Sequence, residues 1–176
     1  MIAMILAAGR GERMMPLTEN TPKPLIKVKG ITLIEHSINA LKKAGIIDIV
    51  INIAYLGEQI KTHLGDGSKF GINITYSDES LGVLETAGGI IKALPLLGDK
   101  PFIVINSDVL CDYNLSQLTL PIGALAHLVL IDNPAHNSNG DFSLINTHQV
   151  ITASSKSFTF SGFGIYHPDF FKNHLN

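Results

Sequence analysis

The sequence has no tryptophan, and Cys111 is its one cysteine among 176 residues. A single cysteine forms no intrachain disulfide and supplies no cysteine metal cluster, which is consistent with a reducing compartment. No apolar run reaches membrane-spanning length, and the apolar residues 1–8 are too short for a signal peptide and lack a basic leader. The net charge is −2 and there is no basic stripe, which disfavours nucleic-acid binding. We therefore expect a cytoplasmic protein with no nucleic-acid partner and no membrane partner.

Strand-like and helix-like patterns alternate along the first two-thirds of the chain. With 45% hydrophobic residues, the chain suits one globular domain over residues 1–176. Strands are predicted at residues 2–7, 48–53, 72–76, 102–106 and 124–131, and shorter ones at 142–145, 150–153 and 158–166. The pattern predicts an α/β fold, a Rossmann-like and mostly parallel sheet with helices on both faces, plus a small β-rich flap.

The helices carry recognisable start and stop signals. Thr32 and Glu35 have capping-box spacing, and an apolar stripe follows them as far as Gly45. Residues 57–64 and 86–94 predict two further helices, the second ending before Pro95, and residues 116–118 predict a helical turn. The long polar stretch 9–30 is predicted to be a loop, and loops of this length in compact domains are usually functional.

The loop after the first strand has the composition of a phosphate site. Gly9 and Gly11 alternate with Arg10, and Arg13 follows two residues later. Small residues let backbone N–H groups approach an anion, and arginine presents a planar fork to phosphate oxygens. The alternative for the glycines alone is an ordinary strand–turn–helix connection with surface arginines.

Further along the loop, Lys23 lies between Pro22 and Pro24. The prolines restrain the backbone around this cation, and Pro24 favours an extended Lys23. Asp108, directly after a buried strand, offers a hard oxygen ligand to Mg²⁺, although an aspartate at a strand end is also common in plain Asx-turns. Parallel strands gather ligands at their carboxyl ends, so these loops are expected to converge.

Other phosphate and hydrolytic chemistries fit less well. The dinucleotide fingerprint would need a third glycine where Met14 stands and a helix where the chain is broken by prolines. There is no Gly-Lys-Ser/Thr of a Walker loop and no Gly-x-Ser-x-Gly elbow, and the seven histidines lack metal-ligand spacing. Phosphoryl or nucleotidyl transfer remains, in which positioning and charge neutralisation do most of the catalysis.

The amino-terminal run resembles the signature of the sugar-1-phosphate nucleotidyltransferases. The matching segments are LAAGxGxRMxPLT at 6–18 and PKPL at 22–25, and the likeness covers essentially the whole chain. The segments ETAGG at 85–89 and NSD at 106–108 resemble the family's second glycine segment and its metal-binding strand end. The later segments at 127–134, 140–142 and 160–162 look most like the N-acetylmuramate 1-phosphate uridylyltransferases.

The resemblance implies a nucleotide-diphospho-sugar transferase type of fold. It also implies a Mg²⁺-dependent enzyme that joins a nucleoside triphosphate to a sugar 1-phosphate and releases pyrophosphate. UTP and N-acetylmuramate 1-phosphate are favoured; GTP with mannose 1-phosphate, dTTP with glucose 1-phosphate, and a non-catalytic nucleotide-binding module are the alternatives.

The resemblance further implies roles for individual residues. Arg13 and Lys23 would be catalytic, Asp108 would bind the metal, and Asn106 and Asp141 would bind the sugar. The nucleotide would contact Leu6, Ala7, Ala8, Gly9, Gly11, Glu12, Arg13, Lys23 and Gly88. Gly88 fits equally well as a helix-packing or capping glycine, and Asp141 as a turn residue before the strand at 142.

The chain departs from the family pattern in two places. Ser107 stands where the family usually has glycine, which would be costly if the position required a positive φ or close ligand approach. The family's second metal aspartate, which comes from a segment after the flap, has no match here, so we expect a shortened chain. Glu85, Asp112 and Asp141 could be proposed as substitutes, but their spacing favours none of them.

Overall fold

The computed structural model describes residues 1–82, 84–146, 149–152 and 157–174. Its helices are α1 (Leu33–Lys43), α2 (Gly57–Leu64) and α3 (Thr86–Leu97). Its strands are β1 (Ile2–Leu6), β2 (Lys27–Val28), β3 (Ile31–Thr32), β4 (Asp48–Ile53), β5 (Asn73–Asp78), β6 (Phe102–Asn106), β7 (Ala126–Ile131), β8 (Phe142–Ile145), β9 (Gln149–Thr152) and β10 (Thr159–Tyr166). In this described part, none of the helices is long and apolar enough to cross a bilayer.

A six-stranded sheet in the order β5-β4-β1-β6-β10-β7 forms the centre of the fold. The first four strands are parallel, whereas β10 runs antiparallel to both β6 and β7. Leu6 at the end of β1 is level with Asn52 of β4 and Asn106 of β6. The predicted mostly parallel sheet with helices on both faces is confirmed.

The helices cover the two faces because successive residues of a strand point to opposite sides. Ala3 and Ile5 of β1 pack in the cluster that α1 and α2 cover. Met4 belongs to the cluster that α3 and Phe171 cover. Helices therefore cover both faces of the central strands, and the strand ends are the places where a ligand can reach the sheet.

The first helix follows its sequence signals closely. The Thr32 hydroxyl accepts a hydrogen bond from the Glu35 N–H, and the Glu35 carboxylate accepts one from the Thr32 N–H. The predicted capping box is therefore confirmed. The stripe residues Leu33, Ile34, Ile38 and Leu41 are all buried.

Two stretches differ from the prediction. Pro95 does not end α3, which continues to Leu97; Leu97 is 3% exposed and packs in the same cluster as Ile90 and Ala93. Apolar burial of this last turn outweighs the loss of one backbone donor at the proline. Residues 9–30 are not wholly irregular, since they contain 3₁₀ turns at Glu12–Met14 and Lys23–Leu25 and the first strand of the β2–β3 hairpin.

The flap consists of β8 and β9, which pair only with each other as a two-stranded antiparallel sheet within the described residues. A single bridge between Phe142 and Phe158 connects β8 to the segment leading into β10. Residue 153, at the end of the predicted strand 150–153, lies outside the described residues. The predicted helical turn near 116–118 is a 3₁₀ turn at Leu115–Gln117.

Candidate active site

A cavity of about 630 Å³ opens at the carboxyl ends of β1, β4 and β6. In the sheet, β1 lies between β4 on one side and β6 on the other, so the strand order reverses at β1. Ligands usually bind at such a reversal point in sheets of this kind. Its described lining comprises Leu6, Ala7, Ala8, Gly9, Arg10, Gly11, Glu12, Arg13, Met14, Lys23, Pro24, Asn52, Leu84, Glu85, Thr86, Asn106, Ser107 and Asp108.

Backbone contacts fix the start of the glycine loop on the sheet. The Leu6 carbonyl accepts a hydrogen bond from the Ser107 N–H at 3.1 Å. The Ala7 N–H donates to Asn52 Oδ1 at 2.8 Å. The first bond continues the β1–β6 ladder by one residue, and the second ties the loop to a side chain of β4. The loop therefore leaves the sheet at a defined point between β4 and β6.

Gly11 allows the loop to fold back on itself. Its φ is +66°, and a Cβ there would lie 3.0 Å from Thr18 Cγ2 and 3.1 Å from Lys23 Cβ. Thr18 is fully buried, and its hydroxyl donates to the Gly11 carbonyl at 2.9 Å. The turn therefore brings the glycine segment against the stem of Lys23, which is why both line one cavity.

Lys23 and Asp108 form an ion pair inside this cavity. Their side chains are 30% and 29% exposed, so the pair is only partly shielded from water. The prediction from Pro24 that the Lys23 backbone is extended is wrong. Lys23 begins a 3₁₀ turn in which the Leu25 N–H donates to the Pro22 carbonyl at 2.8 Å. Pro24 is buried, and the turn directs the lysine stem towards the end of β6.

Ser107 fits its position without backbone strain. It is not among the described non-glycine residues with positive φ, and it is 5% exposed. Its N–H extends the β1–β6 pairing to Leu6. A serine is therefore compatible with the strand end, and the cost considered for a positive φ does not arise.

A buried polar pair beneath the loop was not identified from the sequence. Asn52 is 4% exposed, and its Nδ2 donates to Glu79 Oε1 at 2.8 Å. Glu79 is 1% exposed; burial raises the pKa of its carboxyl, and the hydrogen bond from Asn52 opposes that rise. Gly89 makes room for the pair, since a Cβ there would lie 2.6 Å from Glu79 Oε1. The one available signal was an asparagine in the last two residues of the mostly apolar strand β4.

Two predicted site residues lie outside the described cavity lining. Gly88 is in the first turn of α3, and a Cβ on it would lie 3.2 Å from Leu84 Cβ rather than in the cavity. Asp141 uses both carboxylate oxygens locally, accepting from Asn137 Nδ2 at 3.1 Å and from the Phe160 N–H at 2.8 Å. Asp141 therefore closes a turn beside the flap, and its contact with the sugar stays a prediction.

The remaining predicted residues lie together. The cavity lining includes Leu6, Ala7, Ala8, Gly9, Gly11, Glu12, Arg13, Lys23, Asn106 and Asp108. Of the suggested substitute carboxylates, Glu85 lines this cavity, whereas Asp112 lines a separate one beside His36. No group of three metal-ligating side chains occurs among the described residues, so Asp108 stands as a single carboxylate next to a cation.

Known proteins share both the sequence and the fold of this chain. A profile described as "Nucleotidyl transferase" matches residues 2–152. An N-acetylmuramate alpha-1-phosphate uridylyltransferase of Neisseria meningitidis is 54% identical over 97% of this chain and 77% of its own length. A protein of the same name from Caulobacter vibrioides is 44% identical over 61% of this chain and 45% of its own length. A mannose-1-phosphate guanyltransferase of Hypocrea jecorina is 43% identical over 67% of this chain and 33% of its own length.

Two solved structures share the architecture. A protein from Bacillus anthracis assigned as a glucose-1-phosphate thymidylyltransferase, in complex with a sucrose, superposes with a TM-score of 0.83 at 22% identity, over all of this chain and 76% of that one. HddC from Yersinia pseudotuberculosis, complexed with GMP-PN, superposes with a TM-score of 0.81 at 20% identity, over 99% of this chain and 80% of that one. At these identities the structures establish the fold. With the profile match and the Neisseria relative, they show that this chain belongs to the nucleotidyl transferase family, with the fold of the sugar-1-phosphate enzymes.

Proposed function

We propose that the protein transfers a uridylyl group from UTP to N-acetylmuramate 1-phosphate, giving UDP-N-acetylmuramate and pyrophosphate. The observation that carries the proposal is the single cavity in which a two-glycine loop, Arg13 and Lys23 face Asp108 at a strand end. The choice of UTP and of this sugar is supported by the relative that is 54% identical over nearly the whole chain. A triphosphate substrate and the single cysteine support a cytoplasmic location.

The residues act by positioning and by neutralising charge. A phosphate oxygen of the sugar 1-phosphate attacks the α-phosphorus of the triphosphate, and the bond from that phosphorus to the bridging oxygen breaks. The electron pair of this bond leaves with pyrophosphate. Arg13 and the N–H groups of Gly9 to Gly11 bind the β- and γ-phosphates, and Lys23 neutralises charge on the transferring phosphoryl group.

Asp108 is proposed to hold a Mg²⁺ ion. The donor set fits that ion, because Mg²⁺ is commonly bound through one or two carboxylates together with substrate phosphates, and Asp108 faces the phosphate loop. The metal would supply electrostatic stabilisation of charge on the phosphates. Lys23 and Asp108 are paired in the structure. The proposed roles therefore require Lys23 to exchange the carboxylate for phosphate oxygens when the substrates bind.

Pyrophosphate release with UTP and N-acetylmuramate 1-phosphate tests the proposal. Lys23→Ala and Asp108→Ala should each lower the rate by at least about 100-fold, since each removes a charge placed for the transition state. Lys172→Ala and Asp169→Ala are matched controls, because those residues form another lysine–aspartate pair, outside the described cavity lining, and should retain the wild-type rate. Unchanged release in both cavity variants would refute the mechanism.

A substrate panel separates the other candidates. Faster turnover of GTP with mannose 1-phosphate would favour a guanylyltransferase, as the Hypocrea relative suggests, and dTTP with glucose 1-phosphate tests the thymidylyl alternative. Calorimetric binding of UTP with no turnover of any pair at saturating Mg²⁺ would instead establish a non-catalytic nucleotide-binding module.

A further inference from the structure

We propose that Tyr55 is a positioning residue that holds Arg10 as an additional binding group for the terminal phosphates of the nucleotide. Tyr55 follows β4, and Arg10 lies between the two glycines of the loop. The inference rests on the proposed use of a nucleoside triphosphate and adds to it a group that the sequence signature leaves unassigned.

Arg10 is placed for anion binding. It lines the cavity between Gly9 and Gly11, and its side chain is 56% exposed. Its guanidinium carbon lies 5.2 Å from the centroid of the Tyr55 ring. A ring over one face leaves the donors at the rim of the planar guanidinium available to phosphate oxygens. Glu12 Oε1 lies 3.7 Å from a terminal guanidinium nitrogen of Arg10 and supplies a second, weaker orienting contact.

Tyr55 also contacts the middle of the same loop. Its hydroxyl donates to the Glu19 carbonyl at 2.7 Å. One helical turn later, Gln59 Nε2 donates to the Asn20 carbonyl at 3.2 Å. Asn52 in β4 and the segment after β4 therefore contact the loop at its start, at Arg10 and in its middle.

The position of Tyr55 is set by a tight junction. The next residue, Leu56, has a left-handed backbone with φ 51°, which is uncommon for a side chain of this kind. Gly57 begins α2 and is buried against Ile53, where an added Cβ would lie 3.1 Å from Ile53 Cβ. This junction constrains the backbone directly after Tyr55, and the hydroxyl bond to Glu19 restrains the ring, which suits a residue that orients another.

The charges in the cavity explain why a further cation is useful. The cationic side chains of the described lining are Arg10, Arg13 and Lys23. Lys23 is paired with Asp108, and Glu12 adds a negative charge close to the loop. A triphosphate brings several more negative charges into this space. Arg10, held over an aromatic ring, adds a cation for the terminal phosphates beside Arg13.

The test compares binding of UTP, UMP and inorganic tripolyphosphate by calorimetry, using the full chain. Arg10→Ala and Tyr55→Leu should each weaken UTP and tripolyphosphate binding by about 3- to 10-fold, the range expected for a guanidinium–ring contact that positions a phosphate ligand. UMP, which lacks the terminal phosphates, should change by less than about 2-fold. Tyr55→Phe keeps the ring and should lose less than Tyr55→Leu.

Non-additivity identifies positioning. The double variant Arg10→Ala/Tyr55→Leu should bind UTP no more weakly than the worse single variant, because Tyr55 acts through Arg10. Phe70→Leu is the matched control: it removes a ring beneath Lys69, whose nitrogen lies 4.8 Å from the ring centroid, outside the described cavity lining. Equal losses for UTP and UMP in Tyr55→Leu, additive losses in the double variant, or no loss at all would overturn the inference.

The outcomes also separate this inference from the proposed function. If UTP binding shows the expected pattern but no sugar 1-phosphate is turned over, the proposed reaction fails and the role of Tyr55 stands. If turnover is normal and Tyr55→Leu leaves triphosphate binding unchanged, the reaction stands and the role of Tyr55 fails. A wild-type protein that binds neither UTP nor tripolyphosphate refutes both.

Discussion

Lys23 and Asp108 are 85 positions apart in the chain, and their side chains meet as an ion pair in the cavity at the end of β1 and β6. The pair joins the two loops whose charges the proposed reaction needs. It also means that neither residue is free in the unliganded protein. In the proposed reaction, substrate and Mg²⁺ would therefore compete with an existing contact, and a partly exposed pair is a weak competitor.

That weakness can be measured. A double-mutant cycle with Lys23→Ala and Asp108→Ala should give a coupling of about 1 kcal/mol or less in the free energy of unfolding, since both side chains remain nearly one-third exposed. Urea unfolding of the four proteins supplies the values. A coupling several times larger would mean that the pair is a main structural support of the loop rather than a functional contact.

Gly11→Ala should lower both stability and pyrophosphate-release activity. The new methyl group meets Thr18 Cγ2 and Lys23 Cβ at a φ of +66°. We expect a loss of about 1–3 kcal/mol in unfolding free energy and about 10-fold or more in pyrophosphate-release activity. Gly30→Ala is the control, because Gly30 has φ +84° with nothing within 4 Å of the added Cβ. It should share the backbone cost but keep the activity.

Much of the site was predictable because it is local in sequence. Gly9, Gly11 and Arg13 lie on one short loop, and Asp108 follows a strand whose apolar pattern is unmistakable. Their meeting follows from the parallel order of β1 and β6. The fold was equally accessible, since α1 has both its capping box and its apolar stripe in the sequence.

What was missed depends on register and on side-chain packing. Glu79 contacts Asn52 only because β4 and β5 pair with Asn52 level with Ser77, and no local pattern fixes that alignment. Tyr55 and Arg10 lie in loops that are distant in sequence, and no local pattern predicts that the guanidinium meets the ring. Asp141 stays a prediction as a sugar contact, because the structure shows only that its carboxylate accepts hydrogen bonds from Asn137 and from the Phe160 N–H.

Gly89→Ala and Gly88→Ala should act differently although the positions are adjacent in one helix. Inside a helix, alanine is more favourable than glycine by about 1 kcal/mol, so helix propensity alone predicts that both substitutions stabilise the protein. At Gly89, however, a Cβ would lie 2.6 Å from Glu79 Oε1 and 3.0 Å from Asn52 Nδ2. Thermal or urea unfolding should show Gly89→Ala destabilised by about 1–3 kcal/mol and Gly88→Ala within about 1 kcal/mol of wild type. Equal effects would mean that the buried pair can move aside.

Glu35→Gln should remove part of the acid sensitivity of unfolding. Burial raises the pKa of Glu35, but hydrogen bonds from Thr32 and attraction by His63 outweigh it, so the pKa lies below its ordinary value of 4.5. A depressed folded-state pKa stabilises the fold above the unfolded value, and this contribution disappears as pH falls through the folded value. Glutamine keeps the capping-box geometry. The wild-type advantage over Glu35→Gln should therefore shrink as urea unfolding is measured at successively lower pH.

Glu79→Gln should show the opposite trend. Burial raises the pKa of Glu79 above its ordinary 4.5, with hydrogen bonding from Asn52 and attraction by Lys92 opposing the rise. Because the pKa of Glu79 is higher in the folded state, the unfolded chain loses this proton at a lower pH than the fold does. The wild-type fold therefore loses stability as the pH increases from below the unfolded-state pKa to above the folded-state pKa. Glutamine keeps an acceptor for Asn52 and cannot ionise. The stability of Glu79→Gln relative to wild type should therefore rise across this pH interval and level off above it. A relative stability that stays flat with pH would show that the pKa of Glu79 is not raised in the fold. One that falls with pH would show that the surroundings stabilise the carboxylate, so that a charged partner holds Asn52 beneath Ala7.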